Sequence, residues 1–345
     1  MKAILLILLL AHGGYWFGGE DNTIRVRWAA PEAGMPAAKL SWELFYASVS
    51  FGAGETDVAV GDKTTTLTMK LPEARTLAAY TWKYQLKEAK TGKVLDSGER
   101  VVYACPPKLL EGQARRMVCK RIIVIDRQEA GLTSVLKGAG MDVLRLESVG
   151  DVLLRKADVI LVGEDQLPDN EATQSLLRTK AEEGAGVMIF AQQHLKRSLG
   201  FALRDRPLKG PLAWRADHEL FDRLSAADLN AWVRESGTDL AAVALPADAR
   251  VLEVGYWPRE TPGDAPAPVD ALVATETIGE GRIVWWQIPV GAWTTDPRAQ
   301  ILLGNALDYL LTRPEPTLPQ AKRAAAIHTS PRTEQDHNPL LGEKP

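Results

Sequence analysis

The chain has 345 residues, 46% of them hydrophobic and 25% charged, with a formal net charge of −3. This length suggests two domains, and the composition is that of an ordinary globular protein. A charge so near neutrality, with no clustered basic stripe, leaves no electrostatic footprint for nucleic acid.

The N-terminus, MKAILLILLLAHGG, places one Lys before an apolar run from Ala3 to Ala11. The run is too short to span a bilayer, which takes about 20 residues. It fits the core of a secretory signal cleaved between Ala11 and Gly19, so residues 1–19 are set apart as a signal peptide or leader. A first strand, or a start assigned too far upstream, would read the same way. The expected location is secreted or periplasmic.

Residues 22–106 carry repeated strand signals. TIRVRW alternates, with Ile24, Val26 and Trp28 on one face, and TTTLTMKL alternates again. KLSWELFYASVSF and YTWKYQLKEA are rich in aromatic and apolar residues, and VLDSGERVVYA follows the turn TGKV. Strands at this spacing, punctuated by Gly and Pro, predict a small β-sandwich.

The character changes after CPPKLLEGQARRM. RIIVIDR, MDVLRLE, ADVILVG and VMIFAQ read as apolar strands separated by helical segments, the longest running from the Asp/Asn cap near Pro168 to Gly184. Such alternation predicts a parallel sheet covered on both faces. HELFDRLSAADLNAW reads as helical, ARVLEVGYW as a strand, and VDALVATETIGEGRIVWWQI as two strands around GEG. DPRAQILLGNALDYLLTR closes residues 118–314 as a helix with Pro297 near its start. Residues 315–345 have no sustained period and read as a flexible tail.

The α/β half resembles the class I glutamine-amidotransferase-like fold, a flavodoxin-like layout. It is similar in particular to the degenerate version in the accessory C-terminal region of bacterial β-galactosidase-type (family 2-like) glycoside hydrolases. The residues that carry this are GAGVMIFAQQ, DHELFDRLSAADLNAW (217–232) and GEGRIVWWQIPV with DPRAQILLGNALDYLL. The first half resembles the Ig-like sandwiches of the same enzymes. The resemblance implies an Ig-like domain followed by an amidotransferase-like domain. The TIM barrel that carries the paired carboxylates of those enzymes needs about 250 residues, and no such stretch is left here.

An active amidotransferase needs a cysteine at a strand-to-helix turn, served by His and an acid. Cys105 and Cys119 both precede the first parallel strand, so His194 and His218 have no nucleophile to serve. The cysteines match no zinc or redox spacing, and a disulfide and two free thiols both remain open. No G-x-S-x-G and no phosphate-cradling glycine motif occurs. At the end of the fourth strand stand Gln192, Gln193 and His194, amides where a thiol would sit. Asp126, Glu164 and Asp165 end neighbouring strands and could converge on one edge, either as a pair for glycoside hydrolysis or as helix caps; Asp217 lies further on. A set so rich in oxygen does not suit zinc. His218 is expected to bond backbone near its helix start. Among the ten tryptophans, adjacent Trp285 and Trp286 must point to opposite faces of their strand. Tyr256, Trp257 and Trp286 join the glutamines and histidines as candidate ligand contacts, since sugars stack on aromatic faces.

These residues predict a non-catalytic secreted protein with no cofactor and no metal. It would bind carbohydrate or dock to a glycoside hydrolase or another envelope partner. The alternative is a glycan-acting hydrolase built on Asp126, Glu164 and His194.

Overall fold

A computed structural model describes residues 14–27, 36–62, 64–127, 131–208, 210, 212–237, 239–246, 249–258 and 269–313. The apolar leader core, Trp28 and the expected tail lie outside the described residues. The fold is rich in strands. In chain order it begins with β1 (Tyr15–Phe17), β2 (Asp21–Arg27), β3 (Ala38–Tyr46), β4 (Val49–Val58), β5 (Thr64–Lys70), β6 (Ala78–Glu88) and β7 (Val94–Cys105). Next come α1 (Glu111–Arg116), β8 (Ile122–Ile125), α2 (Leu132–Gly138), β9 (Val143–Leu146), β10 (Val159–Val162), α3 (Glu171–Glu182) and β11 (Gly186–Ile189). Two short strands, β12 (Arg197–Ser198) and β14 (Ala213–Trp214), flank β13 (Phe201–Pro207). The series ends with α4 (Ala226–Ser236), β15 (Asp239–Leu245), β16 (Val251–Tyr256), β17 (Val269–Ile278), β18 (Gly281–Trp286) and α5 (Pro297–Leu311).

In the first half, a five-stranded sheet of order β1-β7-β6-β3-β4 shares one core with the two-stranded ribbon β2-β5. Alternation builds that core. Leu40 and Leu44 of β3 and Trp82 and Leu86 of β6 point inward, where they meet Ile24 and Val26 of β2 and Leu67 and Met69 of β5. The stretch from Lys39 to Phe51, rich in aromatic and apolar residues, folds back on itself as the end of β3 and the start of β4. Tyr46 pairs with Val49 across a two-residue turn, Ala47 and Ser48, in which Ala47 has φ of 52°.

In the second half, five strands run parallel in the order β9-β8-β10-β11-β18. Successive residues of each strand serve different faces. Ile122 and Val124 join one core with α2, α4 and α5, whereas Ile123 and Ile125 join another with Leu177 and Ala181 of α3. The expectation of a parallel sheet needs correcting. Beyond β18 the same sheet continues with antiparallel strands β17, β15, β13 and β12, and β16 and β14 branch from β17, giving eleven strands. The Ala-rich β15, Asp-Leu-Ala-Ala-Val-Ala-Leu, has neither the β-branched run nor the alternation that marks a strand in sequence.

β1 ties the halves together. It lies parallel to β7, with Trp16 in the first core and Tyr15 and Phe17 in the second. The Tyr15 ring stacks on Tyr103 at 4.4 Å, and its hydroxyl donates to Asp228 Oδ2 (3.1 Å) and to the Arg223 carbonyl (3.0 Å). Cys105 and Cys119 are both free, the first buried and the second exposed. Burial pushes the Cys105 thiol up to about 12, which keeps it protonated and inert.

Candidate functional site

The C-terminal ends of β8, β10, β11 and β18 meet at one edge of the parallel segment. Ligands of open α/β sheets settle at such an edge. Gln192, just past β11, is wholly buried. Its Oε1 accepts from Leu167 N (2.9 Å), and its Nε2 donates to the carbonyls of Gly163 (2.9 Å) and Phe190 (2.7 Å). Its backbone N–H donates to Gln287 Oε1 at 3.1 Å. The side-chain amide is a strut between the ends of β10 and β11, the backbone N–H adds the end of β18, and both polar atoms of the amide are spent on the protein. Beside it Trp293, from the segment between β18 and α5, packs edge-on to Phe190 with ring centroids 4.9 Å apart.

The edge does gather carboxylates. Glu164 Oε1 accepts from the backbone N–H groups of Val290 (2.5 Å) and Gly291 (3.4 Å). Burial lifts the Glu164 carboxyl above its ordinary range against those two hydrogen bonds, and the charges of Asp165 and Asp126 add to the rise. Asp126 is nearly buried and walled by Gly131 and Gly163, so close that a Cβ on Gly131 would sit 3.4 Å from Asp126 Oδ2. Asp165 adopts φ of 53°, accepts from Gln193 N at 2.7 Å, and lies 3.9 Å from His194 Nε2. His194 stands out in solvent, its side chain 84% exposed. Asp126, Glu164 and Asp165 are therefore together, and His194 reaches only the outermost of them. Among the described residues no three His, Cys, Asp or Glu side chains are set to hold a metal ion.

The other sequence candidates are scattered. His218 caps a single 3-10 turn, Glu219–Phe221, its Nδ1 accepting from Leu220 N at 3.3 Å. Its ring lies 5.0 Å from that of Tyr309, and burial holds its pKa below the usual value. With Asp217 it lines a cleft of about 520 Å³ whose other wall is Asn305, Asp308 and Tyr309 of α5. Trp285 and Trp286 do face opposite sides, and both are wholly buried: one packs on Phe201, the other on Trp232 and Phe221. Trp257 is buried and Tyr256 half-buried. These rings hold the cores together and offer little face to a ligand.

An exposed aromatic group lies elsewhere, on the first half, at the tip of the β3-β4 hairpin. Gly52 pairs with Leu44 and Ser50 with Phe45, so Phe51 is an extra, bulged residue. Bulges re-aim side chains, and this one sets Phe51 beside Tyr46 and Tyr80. The ring centroids lie 6.3 Å (Tyr46 to Phe51), 5.8 Å (Phe51 to Tyr80) and 5.4 Å (Tyr46 to Tyr80) apart. Tyr46 is 51% exposed, Phe51 49% and Tyr80 7%. Lone exposed hydrophobes are common on any surface, but a contiguous group is informative. The sequence signal was available in the density of aromatics from Trp42 to Phe51. What hid it was the turn, which lacks the Asn or Gly that marks a tight hairpin.

No protein-family model matches this sequence, and no curated protein does. Among solved structures, the chain overlaps a protein described as ThuA-like from Bacteroides uniformis at 13% identity and a TM-score of 0.33, covering 54% of this chain and 87% of that one. It overlaps a cold-adapted β-galactosidase from Rahnella sp. R3 at 11% identity and a TM-score of 0.28, covering 56% and 31%. A family 42 β-galactosidase from G. stearothermophilus overlaps at 10% identity and a TM-score of 0.27, covering 53% and 29%. The chain thus spans about a third of the length of these galactosidases, and the likeness is a loose structural relation.

Proposed function

We propose that this protein is a non-catalytic carbohydrate-binding accessory protein and that sugar is held at the tip of the β3-β4 hairpin. The observation that carries the reading is the exposed pair Tyr46 and Phe51, packed on the buried Tyr80. Sugar rings present apolar C–H faces that stack on such rings, while a tyrosine hydroxyl serves the sugar hydroxyls. The filled strand edge supports the same reading, because Gln192 occupies the position where a reactive group would need room. The parallel order β9-β8-β10-β11-β18 is that of a flavodoxin-like sheet, and the first half has the two-sheet core of an Ig-like sandwich. Both assignments belong to this proposal. So does export: because β1 begins at Tyr15 and is buried, a leader would be cut between Ala11 and Gly14.

A glycan array followed by titration calorimetry tests the reading. Tyr46→Ala and Phe51→Ala should each weaken binding about tenfold, the size of effect expected at a stacking contact. Leu154→Ala, at an exposed site in the other half, should leave binding unchanged. Binding that survives loss of both rings would refute the site.

A second reading has its own observation, the raised Glu164 carboxyl beside Asp126. Two carboxyl groups, one of them raised above its ordinary range by burial, form the kind of pairing used in glycoside hydrolysis. If the edge is catalytic, sugar release from polysaccharides will be measurable and Glu164→Gln will abolish it. We expect no release from the wild-type protein.

A further inference from the structure

We propose that the cleft where the two halves meet binds a small ligand with an ammonium group beside a carbonyl oxygen and an apolar side chain. A free α-amino acid and the N-terminal residue of a peptide share that chemistry. The proposal does not rest on the hairpin tip, since none of its three rings lines this cleft. The cleft has two arms, of about 410 and 430 Å³, which meet at Pro107, Thr294 and Gln300. Each arm falls within the range of small-ligand pockets, about 300–1,000 Å³, and such pockets favour domain junctions.

The first arm forms where β1 packs against α5. Trp16 and Phe17 line it from β1, residues 20–23 from the corner into β2, and residues 294–295 from the segment before α5. Glu20 and Asp21 bring two carboxylates, and among the described residues no Lys, Arg or His lines this arm. Asn22 has committed its Nδ2 to the carbonyls of Phe17 (3.1 Å) and Glu20 (3.0 Å). The lining is negative and weighted towards acceptors, which favours a cationic donor and repels an anion. Trp16 adds the opposite demand. It is 3% exposed, and its indole Nε1–H finds no acceptor among the described residues. A buried donor without a partner is costly, and an acceptor oxygen brought into the arm would relieve it. Trp82, Trp257 and Trp286 also hold unpaired indole N–H groups, but none of them lines either arm. A simple amine has no acceptor to offer Trp16, whereas an α-amino acid carries a carbonyl oxygen beside its ammonium group. The second arm takes the side chain. Leu109, Leu110 and Val135 give it apolar walls, and Lys108 and Glu111 balance in charge there.

The test titrates the full chain by calorimetry with leucine, methionine, phenylalanine and the peptide Leu-Gly-Gly. N-acetyl-leucine lacks the ammonium group, putrescine lacks the carbonyl oxygen, and glycine lacks the side chain. At least one of the first four should bind, and each of these three controls should bind at least about tenfold more weakly, the size of one charged hydrogen bond. Binding of the free amino acids alone, or of the peptide alone, identifies the source and supports the site either way. Asp21→Ala, at an exposed position, should weaken binding about tenfold. Thr294→Trp, also exposed and placed where the arms meet, should abolish it, with the circular dichroism spectrum unchanged. The Tyr46→Ala, Phe51→Ala double variant should bind as wild type does, so this result and the sugar reading stand or fall separately. Binding of none of the four ligands would overturn the proposal. So would N-acetyl-leucine or putrescine binding as tightly as leucine, or binding that survives Thr294→Trp.

Discussion

Gln192 shows how far a single residue type can be read. The amides at the end of β11 mark a position without a nucleophile, and the sequence reads them as possible ligand contacts. In the fold Gln192 spends both ends of its amide on Leu167 N and on the carbonyls of Gly163 and Phe190. Which way an amide turns is decided by unpaired backbone groups on neighbouring strands, and these are invisible until the strands are placed. Gln192→Leu would leave those groups buried without partners, at about 1–3 kcal/mol each before relaxation. We expect a loss of about 3 kcal/mol in urea unfolding, with no change in glycan binding at the hairpin. Glu164 makes a prediction of opposite sense. Burial raises its folded pKa above the ordinary 4.5, so the folded state holds this proton more tightly than the unfolded chain does. The stability linked to it is fully present below about pH 4.5 and is lost as pH rises through the folded value. Glu164→Gln keeps an oxygen for Val290 and Gly291 N–H but carries no charge. It should therefore be more stable than wild type at pH 7, and the gain should vanish as pH falls below 4.5. Urea midpoints measured across that range check the sign. A gain that persisted in acid would mean that burial of charge is not the cause.

Elements were legible where local chemistry and burial agree. The closing hairpin of β17 and β18 announces itself by Gly279 and Gly281, and α5 by Asp296 and Pro297 at its start, the aspartate accepting from Arg298 N. The parallel strands are short apolar runs whose type and order follow from the helices between them. Of the antiparallel extension, β16 and β17 read as strands, whereas β13 and β15 were not legible, because they are polar-mixed or Ala-rich and owe their pairing to the sheet beside them. Gly281 reports how tightly that sheet meets α3. A Cβ at this position would lie 2.3 Å from the carbonyl oxygens of Ala181 and Ala185. Backbone cannot yield as a side-chain tip does, so Gly281→Ala should cost about 2–3 kcal/mol, at the upper end for overpacking. Ser225→Ala, which removes one half of the capping box that Ser225 and Asp228 form at the start of α4, should cost about 1 kcal/mol. Both follow from thermal melts. A Gly281→Ala cost no larger than that of Ser225→Ala would show that the hairpin shifts freely against α3.

At the scale of the molecule the question is why two halves with separate cores behave as one compact unit up to Thr312. β1 supplies an answer. Three residues long, it puts Trp16 into the first core and Tyr15 and Phe17 into the second, and Tyr15 reaches the cap of α4 through Asp228. In sequence these residues fall inside the stretch set aside as a leader, since nothing local distinguishes a short strand from the end of a signal. Their role appears only through the parallel pairing with β7. Burying three aromatic side chains is worth about 1.5–3 kcal/mol for each as an upper estimate, and their loss would open both cores at once. A chain beginning at Gly18 should therefore lose more stability than either half can absorb alone. Its urea transition should split, with tryptophan fluorescence and far-ultraviolet circular dichroism no longer coincident, where the longer chain unfolds in one step by both probes. Tyr15→Phe keeps the ring stack on Tyr103 and removes only the hydrogen bonds to Asp228 and Arg223. It should cost about 1–2 kcal/mol and leave the transition single. If the chain beginning at Gly18 also unfolds in one step, the coupling runs through the segment after Cys105, and β1 is an ornament on the first sheet.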